Sequence, residues 1–158
     1  FIGAADFLAN LLLGVATTKG LVSVAMVFGS LYPIATALLA FKFLKERLSS
    51  CEEFLQLPEI AEGSDPSWFG FPITVRESSP KNRNEIVQIL NDKGIGTRLL
   101  FAGNLIRQPA FIDAPRKVVG ELKYTDQVMK DTFWVGVWPG LTENMLEFVA
   151  NALREALN

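Results

Sequence analysis

The residues best suited to chemistry lie together in Gly94 to Pro109, G-I-G-T-R-L-L-F-A-G-N-L-I-R-Q-P. An apolar strand, Ile95 to Phe101, breaks at Ala102-Gly103 into a polar tip holding Asn104, Arg107 and Gln108. The planar guanidinium of arginine grips phosphate or carboxylate oxygens two at a time. A glycine-broken strand that presents such a group is the form of a binding loop fixed on a scaffold. The connection that follows, Ala102 to Leu122, is long, and long ordered loops in compact domains are more often functional than idle. On residue type alone, Arg107 also reads as a solvated loop residue.

Other chemistry is excluded. The chain has 158 residues with no histidine and one cysteine, Cys51. It therefore holds no histidine acid–base pair, no His- or Cys-rich metal site and no intrachain disulfide. No basic patch points to nucleic acid. Residues 1–50 carry four cations and two anions, and the remainder eleven and fifteen. Apolar residues make up 49% of the chain and mean hydropathy is +0.26, concentrated at the start. Residues 1–41 hold only Asp6 and Lys19 as charges.

The elements around the loop follow from spacing. Leu21 to Phe41 is an uncharged run that would span ~31 Å as a helix, about the hydrocarbon thickness of a bilayer. With Phe1 to Thr18 and the turn Thr17 to Gly20, it reads as a two-helix hydrophobic, membrane-like hairpin over 1–49. Lys42, Lys45 and Arg47 close it with charge that favours the cytoplasmic side. Composition changes near Cys51, and Pro58, Gly63 and Pro66 argue for an extended linker over 50–66. Phe71, Ile73 and Val75 alternate in a strand from Phe69 to Arg76, with Pro72 marking an edge or a strand start. Ser79-Pro80 opens a helix with the stripe Ile86, Ile89, Leu90, and Gly94 ends it. Thr125 to Thr132 reads as a short helix capped by Thr125, with Val128 and Met129 inward. Phe133 to Trp138 reads as a central strand and Pro139-Gly140 as a turn. Thr142 caps a last helix with the stripe Met145, Val149, Ala152, Leu153, Ala156. The order is an α/β (α+β) layer over 67–158, with helices on one face of a sheet.

Two resemblances add to this. The run A-T-T-K-G-L-V-S-V-A-M-V-F-G-S-L-Y-P-I-A-T-A-L-L-A with K-E-R-L-S resembles the EamA-type drug/metabolite transporter family. Lys45 stands where that family's G-E-R-L signature has glycine. The segments G-S-D-P-S-W-F-G-F-P-I-T-V-R, K-G-I-G-T-R-L-L-F-A-G-N-L-I-R-Q-P and T-D-x-V-M-x-D-T-F-W-V-G-V-W-P-G-L-T resemble a second family. It is the DegT-like, PLP fold-type-I sugar-nucleotide aminotransferases and dehydrases, in particular the CDP-4-keto-6-deoxy-D-glucose 3-dehydrase branch. That resemblance runs from about Phe54 to the end.

The second resemblance implies that 54–158 is the small C-terminal domain of a longer enzyme of dideoxysugar and lipopolysaccharide biosynthesis. It implies a pyridoxamine or pyridoxal phosphate cofactor, a nucleotide-sugar substrate, a missing large domain or homodimer partner, and an iron–sulfur reductase. The main cofactor residues belong to the large domain, and nothing in this chain supports an iron–sulfur cluster. No catalytic residue is expected here, so the chain alone should be inactive. Arg107 would hold the anionic or hydroxyl-rich part of the substrate; Asn104, Gln108 and Phe101 would line the same mouth, with Arg98 in support. Trp68 and Phe69 would pack on the cofactor domain. The first resemblance implies an inserted piece over 1–41, hence a membrane-associated chain with a cytoplasmic domain, or a cytoplasmic one if that arm stays out of the bilayer.

Overall fold

Alternation of apolar and polar residues builds the sheet, and the described residues are Val15, Thr18 and 39–158, less Asp65, Ser67 and Pro139, in a computed structural model. Helical residues 39–48 form α1. The strands are β1 (Leu55–Gln56), β2 (Gly70–Val75), β3 (Thr97–Leu99) and β4 (Thr132–Gly136). The later helices are α2 (Arg83–Asp92), α3 (Lys123–Asp131) and α4 (Glu143–Ala156). The strand order is β1-β2-β4-β3, and every neighbouring pair is antiparallel. β4 is therefore central, as its apolar sequence predicts.

Phe71, Ile73 and Val75 are buried, and Phe71 and Ile73 sit opposite Val135 and Phe133. These side chains share one core with Ile86 and Leu90 of α2 and Leu146, Ala150 and Leu153 of α4. Pro72 is tolerated for a positional reason. The Arg76 N–H donates to the Phe54 carbonyl on the β1 side, and the backbone nitrogen of Pro72 has the same parity. β1 reaches only to Thr74, so among the described residues no strand partner awaits the donor that Pro72 lacks.

Helix ends depart from the spacing in three places. α2 is capped by Asn82, whose side chain accepts from the Asn84 and Glu85 N–H groups while the Glu85 carboxylate accepts from the Asn82 N–H. This reciprocal box outcompetes Ser79, whose hydroxyl bonds to Lys81 instead. Gly94 does end the helix, at φ +77. α3 begins two residues before Thr125, behind a left-handed Leu122. In α4 the Thr142 cap holds, accepting from the Met145 N–H, and Ala152, Leu153 and Ala156 of the expected stripe are buried, with Leu146 and Ala150 completing it and Val149 only partly buried. Met145 is half exposed, one position off the core. The predicted strand Ile95 to Phe101 shortens to β3, because Phe101 turns to φ +50. The Pro139-Gly140 turn includes a residue outside those described.

The boundary drawn at Ser49 runs through the core. Ala40, Phe41, Leu44, Leu48 and Cys51 are buried in the same cluster as the sheet. The Phe41 ring stacks on Trp68 at 4.1 Å and leans on Phe71 at 5.1 Å. The end of α1 is fastened to α4: Arg47 lies 3.3 Å from the Glu147 carboxylate, and Arg154 donates to the Arg47 carbonyl oxygen. The predicted linker 50–66 is not plain linker either, since Leu55 and Gln56 pair with Val75 and Thr74. The amphipathic pattern from Phe41 to Leu48 hides this, because a soluble core helix and a membrane-helix end bear the same sign. The proposed hairpin over 1–49 falls outside the described residues except for Val15, Thr18 and 39–49. Among the described residues, no helix is long and apolar enough to cross a membrane.

Candidate functional site

The loop after β3 is built as a fastened arch. Gly103, at φ +61, sits so close to α3 that a Cβ there would lie 2.5 Å from the Met129 Cβ. Only glycine meets both the backbone angle and the contact. Directly after it, Asn104 is buried at 2% exposure. Its side-chain oxygen accepts from the Ile106 N–H at 3.3 Å and so caps the short 3-10 turn Leu105–Arg107. Its amide donates to Asp126 Oδ1 at 2.7 Å. Arg107 donates to the same carboxylate through Nε and Nη2, one to each oxygen. Gln108 turns back and donates to the Ala102 carbonyl at 2.7 Å. Farther along, Arg116 Nη1 donates to the carbonyls of Phe111, Ile112 and Ala114 and gathers the second half of the loop.

Asp126 is thus the hub of the loop. Its carboxyl is held down at about 2 by the hydrogen bonds from Arg107 and then from Asn104, against a smaller opposing effect of desolvation. Arg107 is raised in turn by the bond to Asp126. Sequence reasoning missed this residue. Asp126 reads as an acid favourable to the first turn of a helix, and nothing in a separation of 19 residues announces a partner.

The predicted site residues divide. Asn104, Arg107 and Gln108 come together at the arch, and Phe101 stands beside it, left-handed and 79% exposed. The Arg107 side chain is 59% exposed, and its Nη1 takes no partner among the described residues. Arg98 is placed elsewhere, in β3, paired across the strands with Trp134 of β4, with its Nη1 on the Thr97 carbonyl at 3.3 Å. Among the described residues, no hydrogen bond joins it to the arch. Trp68 stacks on Phe41, while Phe69 is 70% exposed and lies against Trp134.

No lysine among the described residues is buried. Nor, among those residues, does any group of three His, Cys, Asp or Glu stand where it could hold a metal ion. The open guanidinium edge at the arch has the donor geometry to receive an oxyanion.

The model of the DegT/DnrJ/EryC1/StrS aminotransferase family matches residues 34–154. The chain belongs to that family. The DegT-like match takes in K-E-R-L-S, the tail of the transporter-like run, which agrees with α1 lying in the core. The rest of that run, up to residue 38, lies outside the described residues except Thr18. Lipopolysaccharide biosynthesis protein RfbH of Salmonella typhimurium is 57% identical over 115 residues, 73% of this chain and 26% of its own length. A dTDP-4-dehydro-2,6-dideoxy-D-glucose 3-dehydratase of Saccharopolyspora spinosa is 43% identical over 112 residues, 71% of this chain and 24% of its own. Among solved structures, E. coli GDP-4-keto-6-deoxy-D-mannose-3-dehydratase with bound hydrated PLP aligns with a TM-score of 0.65 at 22% identity, over 79% of this chain and 31% of that one. A DegT DnrJ EryC1 StrS aminotransferase from Brucella abortus aligns at 0.67 and 17%, over 80% and 31%. The DegT-like chain therefore has the fold of one part of these enzymes, and it spans about a quarter of the length of the curated relatives it matches.

Proposed function

We propose that this chain supplies the small-domain wall of the substrate site in a nucleotide-sugar 3-dehydratase of deoxysugar biosynthesis, acting on CDP-4-keto-6-deoxy-D-glucose. The observation that carries the reading is the arch itself. An arginine with one open edge stands on a loop whose F-A-G-N-L-I-R-Q-P sequence lies within the residues that the DegT-like family model matches. A fork of this kind suits a diphosphate. Arg107 holds the diphosphate, Phe101 lines the mouth, and Asn104 and Gln108 keep the loop in shape. The cofactor, pyridoxamine or pyridoxal phosphate, is held by the large domain, which also meets an iron–sulfur reductase. This chain moves no proton on the reacting sugar and is inactive alone. It works on the cytoplasmic side, where nucleotide sugars are made.

The test is replacement. The matched segment of the Salmonella relative is exchanged for this chain, and turnover is measured with pyridoxamine phosphate and a reductase supplied. Dehydration of the CDP sugar is expected, with Arg107→Ala raising KM about tenfold, the worth of one charge-assisted hydrogen bond, and kcat little changed. A folded exchange enzyme whose KM ignores Arg107→Ala removes the arch from the site. Turnover of a GDP or dTDP sugar in place of the CDP sugar corrects the substrate.

A further inference from the structure

A guanidinium has two usable edges, and Asp126 occupies only one. The carboxylate takes Nε–H and one Nη2 proton of Arg107. The edge formed by Nη1 and the second Nη2 proton is left, on a side chain 59% exposed. Asp126 does not wander, because the buried Asn104 amide donates to it at 2.7 Å and Asn104 is itself fixed by the Ile106 N–H. The order of command runs inward to outward: Asn104 holds Asp126, and Asp126 holds the plane of Arg107.

We propose that Asp126 is a positioning residue for an oxyanion, presenting the free Nη1/Nη2 edge of Arg107 to the diphosphate of a nucleotide sugar. The proposal rests on the reading of the arch as a substrate wall, and adds the group that aims it. Orientation and charge pull in opposite directions here, which makes the idea testable. Removing the negative charge of Asp126 should strengthen binding of an anion some 7 Å away by about threefold through water. Loss of the held fork weakens it by about tenfold, since a free arginine must be ordered anew on binding.

The experiment titrates CDP into the full chain, with binding read by calorimetry and by the 15N resonances of the Arg107 side chain. Wild type is compared with D126N, D126E, R107A and the double variant R107A/D126A, each checked by thermal melting. D126E keeps the charge and displaces the fork, so its loss isolates geometry. Expected are about threefold weaker binding in D126N, where the charge gain offsets part of the loss, about tenfold weaker binding in D126E, a loss at least as large in R107A, and no further loss in the double variant. D126N and D126E that bind CDP as well as wild type, while R107A does not, overturn the positioning and leave the substrate wall standing. Absence of any CDP-induced change at Arg107 in the wild type overturns both. A double variant clearly weaker than R107A also overturns the proposal, because Asp126 would then act other than through Arg107.

Discussion

The Phe41 and Trp68 rings lie nearly parallel, 14° apart with centroids at 4.1 Å, and join the first described helix to the approach of β2. Phe41, Leu44 and Leu48 are each at most 4% exposed. At about 1.5–3 kcal/mol for each large apolar side chain buried, losing the three together removes on the order of the whole stability of a small domain. A chain cut to residues 51–158 should therefore melt without a cooperative transition, whereas 39–158 should keep one. Calorimetric scans of the two pieces decide this, and equal melting temperatures would show that α1 is an accessory.

The seat of the arch on α3 predicts a second outcome. Gly103→Ala must place a methyl group against the Met129 backbone and hold a left-handed angle at once. A loss of about 1–3 kcal/mol is expected from the angle alone. Because the injury lies under the loop, limited proteolysis between Phe101 and Leu122 should accelerate more than the fall in global stability accounts for. Unchanged cleavage would mean that the loop does not depend on this contact.

Acid should release the arch late. The Asp126 carboxyl sits at about 2 in the fold, below its unfolded value near 4. A carboxyl depressed by folding stabilises the fold above the unfolded value, and that contribution drains away as pH falls from about 4 toward 2. Its 13C carboxyl shift should accordingly titrate with a midpoint near 2, and in Arg107→Ala the midpoint should climb toward the ordinary range. A wild-type midpoint near 4 would mean the ion pair does not persist in solution.

Two possible caps compete for α2, and substitution separates them. Asn82→Ala should cost about 1 kcal/mol, while Ser79→Ala should cost only a few tenths. Denaturant melts of the two variants give the answer directly; the reverse ranking would return the helix start to Ser79.

Much of the frame was legible, for reasons visible in particular residues. Phe71, Ile73 and Val75 alternate cleanly because β2 has one face toward the core, and the order of strands and helices after Phe69 follows from such runs. Gly94 and Thr142 declare helix ends because their chemistry has few other uses. What stayed hidden depends on partners distant in sequence. Whether Phe41 and Leu48 face lipid or a sheet cannot be read from their own spacing, since both solvents accept the same side chains. Met145 and Leu146 are equally apolar neighbours, and only the tilt of α4 on the sheet chooses between them. At the arch, residue types located Asn104, Arg107 and Gln108, yet two of the three serve the loop itself. Asp126, which ties them, carries no local sign.

The missing donor at Pro72 has a meaning for molecules meeting one another. Among the described residues β1 pairs with only one end of β2, so on that side no ladder partner lies beside Gly70 and Pro72 and an extended peptide could pair there. A visiting strand zippering along that edge would find its ladder interrupted after a single rung. Replacing Pro72 with a residue that restores the rung should make the isolated piece more prone to self-association, a cost that has nothing to do with how well any one copy is folded.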